Sequence, residues 1–154
     1  MHNDPNLPVV NPDNSCDDEH PHEECGIVGI CSPGEDVSRL VYFGLFALQH
    51  RGQEAAGIAV SDGQRLDLYK DVGLVSRVFS PGNLANLNGF LGIGHVRYST
   101  FGSSMITNVH PFMIDTRFGT LALAHNGNLV NAGKLRTELM ESGIGFSSTS
   151  DTEV

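Results

Sequence analysis

Four groups of residues have types and spacings that suit chemistry. Cys25 stands where an acidic, proline-rich leader meets an apolar strand. Were the leader removed, Cys25 would carry both a thiol nucleophile and an α-amine of pKa about 7.7–8.0, so that one residue supplies nucleophile and base. Gly94-His-Val-Arg97-Tyr-Ser-Thr100 is an apolar strand ending in an Arg and two hydroxyls. A guanidinium fork with hydroxyls beside it fits a carboxylate. In Ala124-His125-Asn126-Gly127-Asn128, the side-chain amide of Asn126 and the backbone N–H of Gly127 can serve one developing oxyanion. Ser150-Asp151-Thr152-Glu153 can set a carboxylate beside a bound ammonium.

Each group also has a plainer reading. Cys25 is equally an inert thiol at a strand start, the commoner fate of cysteine. Arg97 is equally a surface cation on an edge strand, Asn126-Gly127 a hairpin turn, and Ser150-Asp151 a helix cap. Cys16, His20, His22 and Cys25 have metal-ligand types but match no zinc spacing, and no metal site is expected. Cys31 falls on the same strand face as Cys25 and reads as a core thiol. Gly92-Ile-Gly94 lacks the dinucleotide fingerprint.

Composition limits the company these groups can keep. The 154 residues carry a formal net charge of -9, and the first 24 contain seven acids, four of the seven prolines and no base. Residues 1–24 therefore read as a disordered acidic propeptide, which cannot bury enough apolar surface to offset its ordering entropy. The rest is nearly neutral and rich enough in apolar residues to form a small core. An acidic chain has no footprint for a nucleic-acid backbone. No apolar run approaches a membrane span, and the amino terminus is not a secretory signal. With three cysteines and no disulfide framework, the expected compartment is the cytoplasm.

The positioning elements follow from patterning. Strands are predicted at 26–31, 56–61, 65–70, 90–97 and 120–125, with Asp62-Gly63 as a hairpin turn. A helix capped by Asp36 is predicted from 36 to about 50, and one capped by Asn131 to about Gly143. Short helical pieces are predicted at 74–79 and 84–87. Antiparallel hairpins with two helices of their own indicate α+β. Residues 147–154 read as a cap and first helical turn with no helix after them, so the fold is expected to be truncated at its C-terminus.

In this order, Cys25-Gly-Ile-Val-Gly, Leu48-Gln-His-Arg-Gly-Gln-Glu-Ala-Ala-Gly-Ile-Ala59, Gly94-His-Val-Arg-Tyr-Ser-Thr100, His125-Asn-Gly-Asn-Leu129 and Ser150-Asp-Thr-Glu153 resemble the glutamine amidotransferase domain of amidophosphoribosyltransferases. The resemblance covers residues 24–154 almost continuously. It implies an amino-terminal-nucleophile hydrolase fold, here a partial four-layer αββα sandwich over 25–154, with the phosphoribosyltransferase domain absent. It implies Cys25 as nucleophile once the leader is cut after Glu24. Asn126 and Gly127 become the oxyanion hole. Arg97 and Thr100 hold the glutamine α-carboxylate, and Asp151 its α-ammonium. Arg51 and Gly52 take a structural or positioning role. Glutamine is the implied substrate, and the ammonia passes to phosphoribosyl pyrophosphate to open purine synthesis. For the full-length enzyme the resemblance implies Mg2+, a 4Fe-4S cluster in some relatives, and a homotetramer; within this chain it implies no cofactor.

Glucosamine-6-phosphate synthase, asparagine synthetase and glutamate synthase share the nucleophile chemistry. The first two mismatch at Gln49-His-Arg-Gly-Gln-Glu54. A rival of another class is a non-catalytic assembly module whose leader is never removed.

Overall fold

The computed structural model describes residues 25–98 and 105–154. The leader and Thr100 lie outside the described residues, so the expectations placed on them are not met or contradicted there.

The strands are β1 (Gly26–Cys31), β2 (Ala55–Ser61), β3 (Leu66–Val72), β4 (Leu91–Arg97), β5 (Phe112–Thr116) and β6 (Gly119–Leu123). The helices are α1 (Ser38–Ala47), α2 (Val75–Val78), α3 (Pro81–Ala85) and α4 (Ala132–Glu141). The first four strands form one antiparallel sheet in the order β1-β4-β2-β3, and β5 pairs with β6 in a second sheet. The fold is α+β with antiparallel sheets, as the patterning predicts.

One face of the four-stranded sheet lies under α1. Val37, Val41 and Leu45 pack on Ala56, Ile58, Val60 and Val96, all buried. Each fully buried aliphatic side chain there contributes roughly 1.5–3 kcal/mol. The helix lies close because β4 thins itself at Gly92 and Gly94. A Cβ on Gly94 would stand 2.6 Å from Val41 Cγ1 and 2.8 Å from Leu45 Cδ1. Side chains alternate along a strand, so Ile93, His95 and Arg97 of β4 point to the opposite face.

The β2–β3 turn forms as predicted. Asp62 Oδ1 accepts from the backbone N–H of Gln64 (2.8 Å) and Arg65 (2.7 Å), and Gly63 takes a φ of 91°.

Several expectations change. The N-cap of α1 is Val37, without a side-chain cap bond, rather than Asp36; the Asp36 carboxylate, one residue earlier, accepts from Ser38 N at 3.0 Å, and helical geometry begins only at Ser38. The helix stops at Ala47, and Gln49–Arg51 is a separate 3-10 turn. Asn131 occupies the N-cap of α4 without a side-chain cap bond, and α4 buries none of its residues. Cys31 is exposed rather than a core thiol; it shares the face of β1 turned away from α1 with Gly29, where a Cβ would meet nothing within 4 Å among the described residues. Strand β5 is not marked by the sequence pattern.

The two-stranded sheet is far less covered than the first. Met113, Leu121 and Leu123 are exposed, and Phe118 at its turn is 85% exposed.

Candidate active site

The open face of the four-stranded sheet ends in a cluster of polar side chains. Cys25 immediately precedes β1, one residue before the Gly26↔Val96 pair, which sets it beside Arg97 and Tyr98 at the end of β4. Its Sγ accepts from Tyr98 N at 3.3 Å. Its carbonyl oxygen accepts from Asn126 Nδ2 at 2.6 Å and from Arg51 Nε at 3.4 Å. Residues 101 positions apart in the chain are thereby joined. An amide nitrogen has two hydrogens, so the bond to Cys25 orients Asn126 and leaves it a second donor.

Arg97 is anchored where it leaves the sheet. Its NH1 donates to Asn108 O at 3.0 Å, and its Nε lies 4.0 Å from Glu54 Oε2. That Glu54 oxygen is buried with no hydrogen-bond partner. A guanidinium has five N–H donors, so one backbone bond and one distant carboxylate leave most of the fork for another anion. The position of Thr100 lies outside the described residues.

Two loops close over this end. The first, 124–129, contains Asn126 and Gly127. Gly127 takes a φ of 141°, a left-handed conformation that L side chains rarely adopt. The second, 147–153, carries Asp151. Asp151 Oδ2 accepts from Leu129 N at 2.6 Å, and Oδ1 lies 4.0 Å from His125 Nδ1. The second loop is held from several directions. Glu153 accepts from the backbone N–H and hydroxyl of both Ser147 and Ser148, which holds its carboxyl down at about 2 against the cost of burial. Arg136 of α4 donates to Ser148 O and Ser150 O. Asn108 and Thr149 exchange two hydrogen bonds.

Between the loops and the sheet lie three histidines. His95 and His110 have ring centroids 4.6 Å apart. His95 is 2% exposed, and neither ring nitrogen has a hydrogen-bond partner in proper geometry. Burial pushes its pKa down to about 3, assisted by His110; the polar groups of Asn126 and His125 offset this only weakly. Burial, then Lys70 and Arg97, push His110 down to about 4. Both rings are neutral near pH 7. Burial also lowers the pKa of Lys70. Its ammonium donates to Val109 O at 2.5 Å and Pro111 O at 3.2 Å.

Of the residues singled out from sequence, Cys25 and Asn126 are in direct contact. Arg97 adjoins Cys25 by strand register, and Gly127 and Asp151 belong to the loop pair tied at Leu129. The sequence reading assigned no role to His95, His110, Asn108 or Arg136. His95 sits inside the motif quoted above, and its alternation with Arg97 was the available signal. The others act through partners far away in sequence. Among the described residues, no group of three or more His, Cys, Asp or Glu is assembled to hold a metal ion. The two described cysteines do not make a cluster site.

Comparison with known proteins adds an independent line. A glutamine amidotransferase domain model matches residues 95–154. An amidophosphoribosyltransferase of Synechococcus elongatus is 54% identical over 88% of this chain and 28% of its own length. Amidophosphoribosyltransferase 2, chloroplastic, of Arabidopsis thaliana is 56% identical over 96% of this chain and 26% of its own. The solved glutamine phosphoribosylpyrophosphate amidotransferase from B. subtilis, complexed with ADP and GMP, superposes with a TM-score of 0.74 at 45% identity, over 82% of this chain and 27% of that one. The chain thus spans about a quarter of the length of the curated relatives it matches.

Proposed function

The chain belongs to the glutamine amidotransferase family represented by amidophosphoribosyltransferases, and from that premise we propose that Cys25 is the nucleophile that releases ammonia from the side-chain amide of glutamine. The observation that carries this reading is the bond from Asn126 Nδ2 to Cys25 O, which brings the candidate oxyanion donor to the candidate nucleophile.

The peptide bond between Glu24 and Cys25 is hydrolysed, which leaves a carboxylate on Glu24 and frees the α-amine of Cys25. That amine takes the thiol proton, directly or through a water, and the thiolate attacks the side-chain amide carbon. Negative charge develops on the amide oxygen, where the free N–H of Asn126 and the backbone N–H of Gly127 receive it. One such donor is typically worth ~3–4 kcal/mol in the transition state. The C–N bond breaks, the nitrogen leaves as ammonia with the proton held by the α-amine, and a γ-glutamyl thioester remains. Water then attacks the thioester, giving glutamate and the free thiol.

Arg97, with Thr100, pairs with the substrate α-carboxylate. Its fork suits two oxygens, and its backbone bond to Asn108 fixes where it points. Asp151 faces the α-ammonium with the lone pairs that Leu129 N does not use. In this role the two charged groups bind the substrate's constant end, and Cys25 and Asn126 act on its amide.

The acceptor chemistry is assigned outside residues 25–154: ammonia displaces pyrophosphate from phosphoribosyl pyrophosphate to give 5-phosphoribosylamine, the first committed amine of purine synthesis. A cytoplasmic homotetramer completes the proposal. No helix among the described residues is long and apolar enough to cross a membrane.

The first test is intact mass of the purified, active protein. The reading expects a chain that starts at Cys25. An active protein that retains residues 1–24 overturns the amino-terminal nucleophile, and a folded, inactive protein that retains them favours the non-catalytic module.

A further inference from the structure

Between the two site loops, His110 makes contacts that the reaction just described does not use. Its Nδ1 accepts from the backbone N–H of His125 at 3.2 Å. Its Nε2 faces Thr152 Oγ1 at 3.2 Å and Ser150 Oγ at 3.5 Å. A backbone N–H can only donate, so Nδ1 must carry the lone pair. In a neutral imidazole the proton then sits on Nε2, which donates to the Thr152 hydroxyl. An imidazolium would set two N–H groups against each other at His125. The Thr152 hydroxyl in turn lies 3.3 Å from His125 Nδ1. One ring thereby touches the residue before Asn126 and the residue after Asp151.

The backbone of His110 is itself fixed. Lys70 donates to the carbonyls on both sides of it, at Val109 and Pro111. Gly57 of β2 leaves room for it, since a Cβ there would run into His110 O. The ring is wedged between His95 and Phe112, with centroids 4.6 Å and 4.9 Å away, and the residue is 7% exposed. The charged and titratable groups around it are Lys70, Arg97, His125 and Asp151, with His95 against its ring.

We propose that His110, as the tautomer protonated on Nε2, is a positioning residue that sets the Asn126–Gly127 loop in register with Asp151. The inference rests on the glutamine reading for its kinetic meaning, but its geometry stands apart from it. One nitrogen serves the loop that receives the oxyanion, and the other serves the loop that binds the ammonium. The two functions should therefore separate when the two nitrogens are removed one at a time.

Asn and Gln make that separation. In His110→Asn, Oδ1 replaces Nδ1 and keeps the bond from His125 N, while the contact with Thr152 is lost. In His110→Gln, the amide nitrogen replaces Nε2 and keeps Thr152, while the acceptor for His125 N is lost. On the full chain, His110→Asn is expected to raise the glutamine KM about tenfold with kcat nearly unchanged. His110→Gln is expected to lower kcat about tenfold with KM nearly unchanged, a fraction of the loss from deleting an oxyanion donor outright. Equal movement of KM and kcat in both variants, or no movement in either, overturns the proposal.

Two readouts do not depend on glutamine hydrolysis. Long-range nitrogen NMR of the wild type should show His110 protonated on Nε2 alone; protonation on Nδ1 overturns the proposal. The His125 amide signal should move in His110→Gln and hold in His110→Asn, and the Leu129 amide, which donates to Asp151, should do the reverse. If the wild type does not hydrolyse glutamine, the proposed function falls while these signals still decide the tie. If a variant fails to fold, the wild-type tautomer decides it.

Discussion

The two faces of the four-stranded sheet are made by the same strands and share almost nothing else. On β4, Gly92, Gly94 and Val96 meet α1, while His95 and Arg97 face away. On β2, Ala56, Ile58 and Val60 belong to the core, while Gly57 receives the His110–Pro111 segment. On β3, Tyr69 packs on the core and Lys70 reaches the carbonyls of Val109 and Pro111. Among the described residues, the core under α1 is apolar. On the open face two histidines, a lysine and an arginine crowd together, with Arg97 beside Cys25. The period-two alternation of a strand thus splits each strand into a half that packs the core and a half that faces the polar cluster. Rigidity on one side is what allows desolvated groups on the other.

Breaking one face should leave the other readable. The largest expected effect is on the covered face. Leu45 is fully buried, and Leu45→Ala should cost about 2–5 kcal/mol of stability. Urea unfolding should show the loss, while kcat per folded molecule stays near wild type. On the open face, Asn126 is exposed, so Asn126→Ala should leave the urea midpoint unchanged. It should lower kcat by roughly 10²–10³, about 2.7–4 kcal/mol. Next, Arg97→Lys replaces a fork with a point charge. It should raise the glutamine KM about tenfold, roughly 1.4 kcal/mol, with a smaller change in kcat.

The smallest effect comes from the buried histidines. Their folded-state values, about 3 for His95 and about 4 for His110, lie below the 6.5 of an unfolded chain. The unfolded state therefore binds more protons between about pH 6.5 and 3, with the His110 share ending near 4, and stability falls as pH falls through that window. Going from pH 7 to pH 6 should cost on the order of 1 kcal/mol for the pair together. His110→Asn should flatten the slope in a pH series of unfolding curves.

Much of the covered face was legible in the sequence. The β-branched run at 26–31, the Asp62-Gly63 turn and the apolar spacing of Val37, Val41 and Leu45 are local signals, and each produced the element predicted. Of the candidate site, side-chain chemistry singled out Cys25, Arg97, Asn126 and Asp151, and the structure ties Asn126 to Cys25 and sets Arg97 beside it. What escaped depends on distant partners. Phe112-Met-Ile-Asp-Thr116 has only its first residue buried, so β5 lacks the alternation that announces a strand. His110 becomes meaningful only when folding brings Thr152, 42 residues away, to its ring. Asn131 holds the cap position of α4 but makes no cap bond, because a residue's type predicts its place more readily than its contact.

The central claim is that the open face is organised around a reactive Cys25. Its most direct test is mass-spectrometric mapping of the protein after treatment with a diazoketone that mimics glutamine. The account predicts a chain beginning at Cys25, alkylated on that thiol, with labelling suppressed by glutamine and abolished in Cys25→Ala. Labelling that persists unchanged in Cys25→Ala would contradict it.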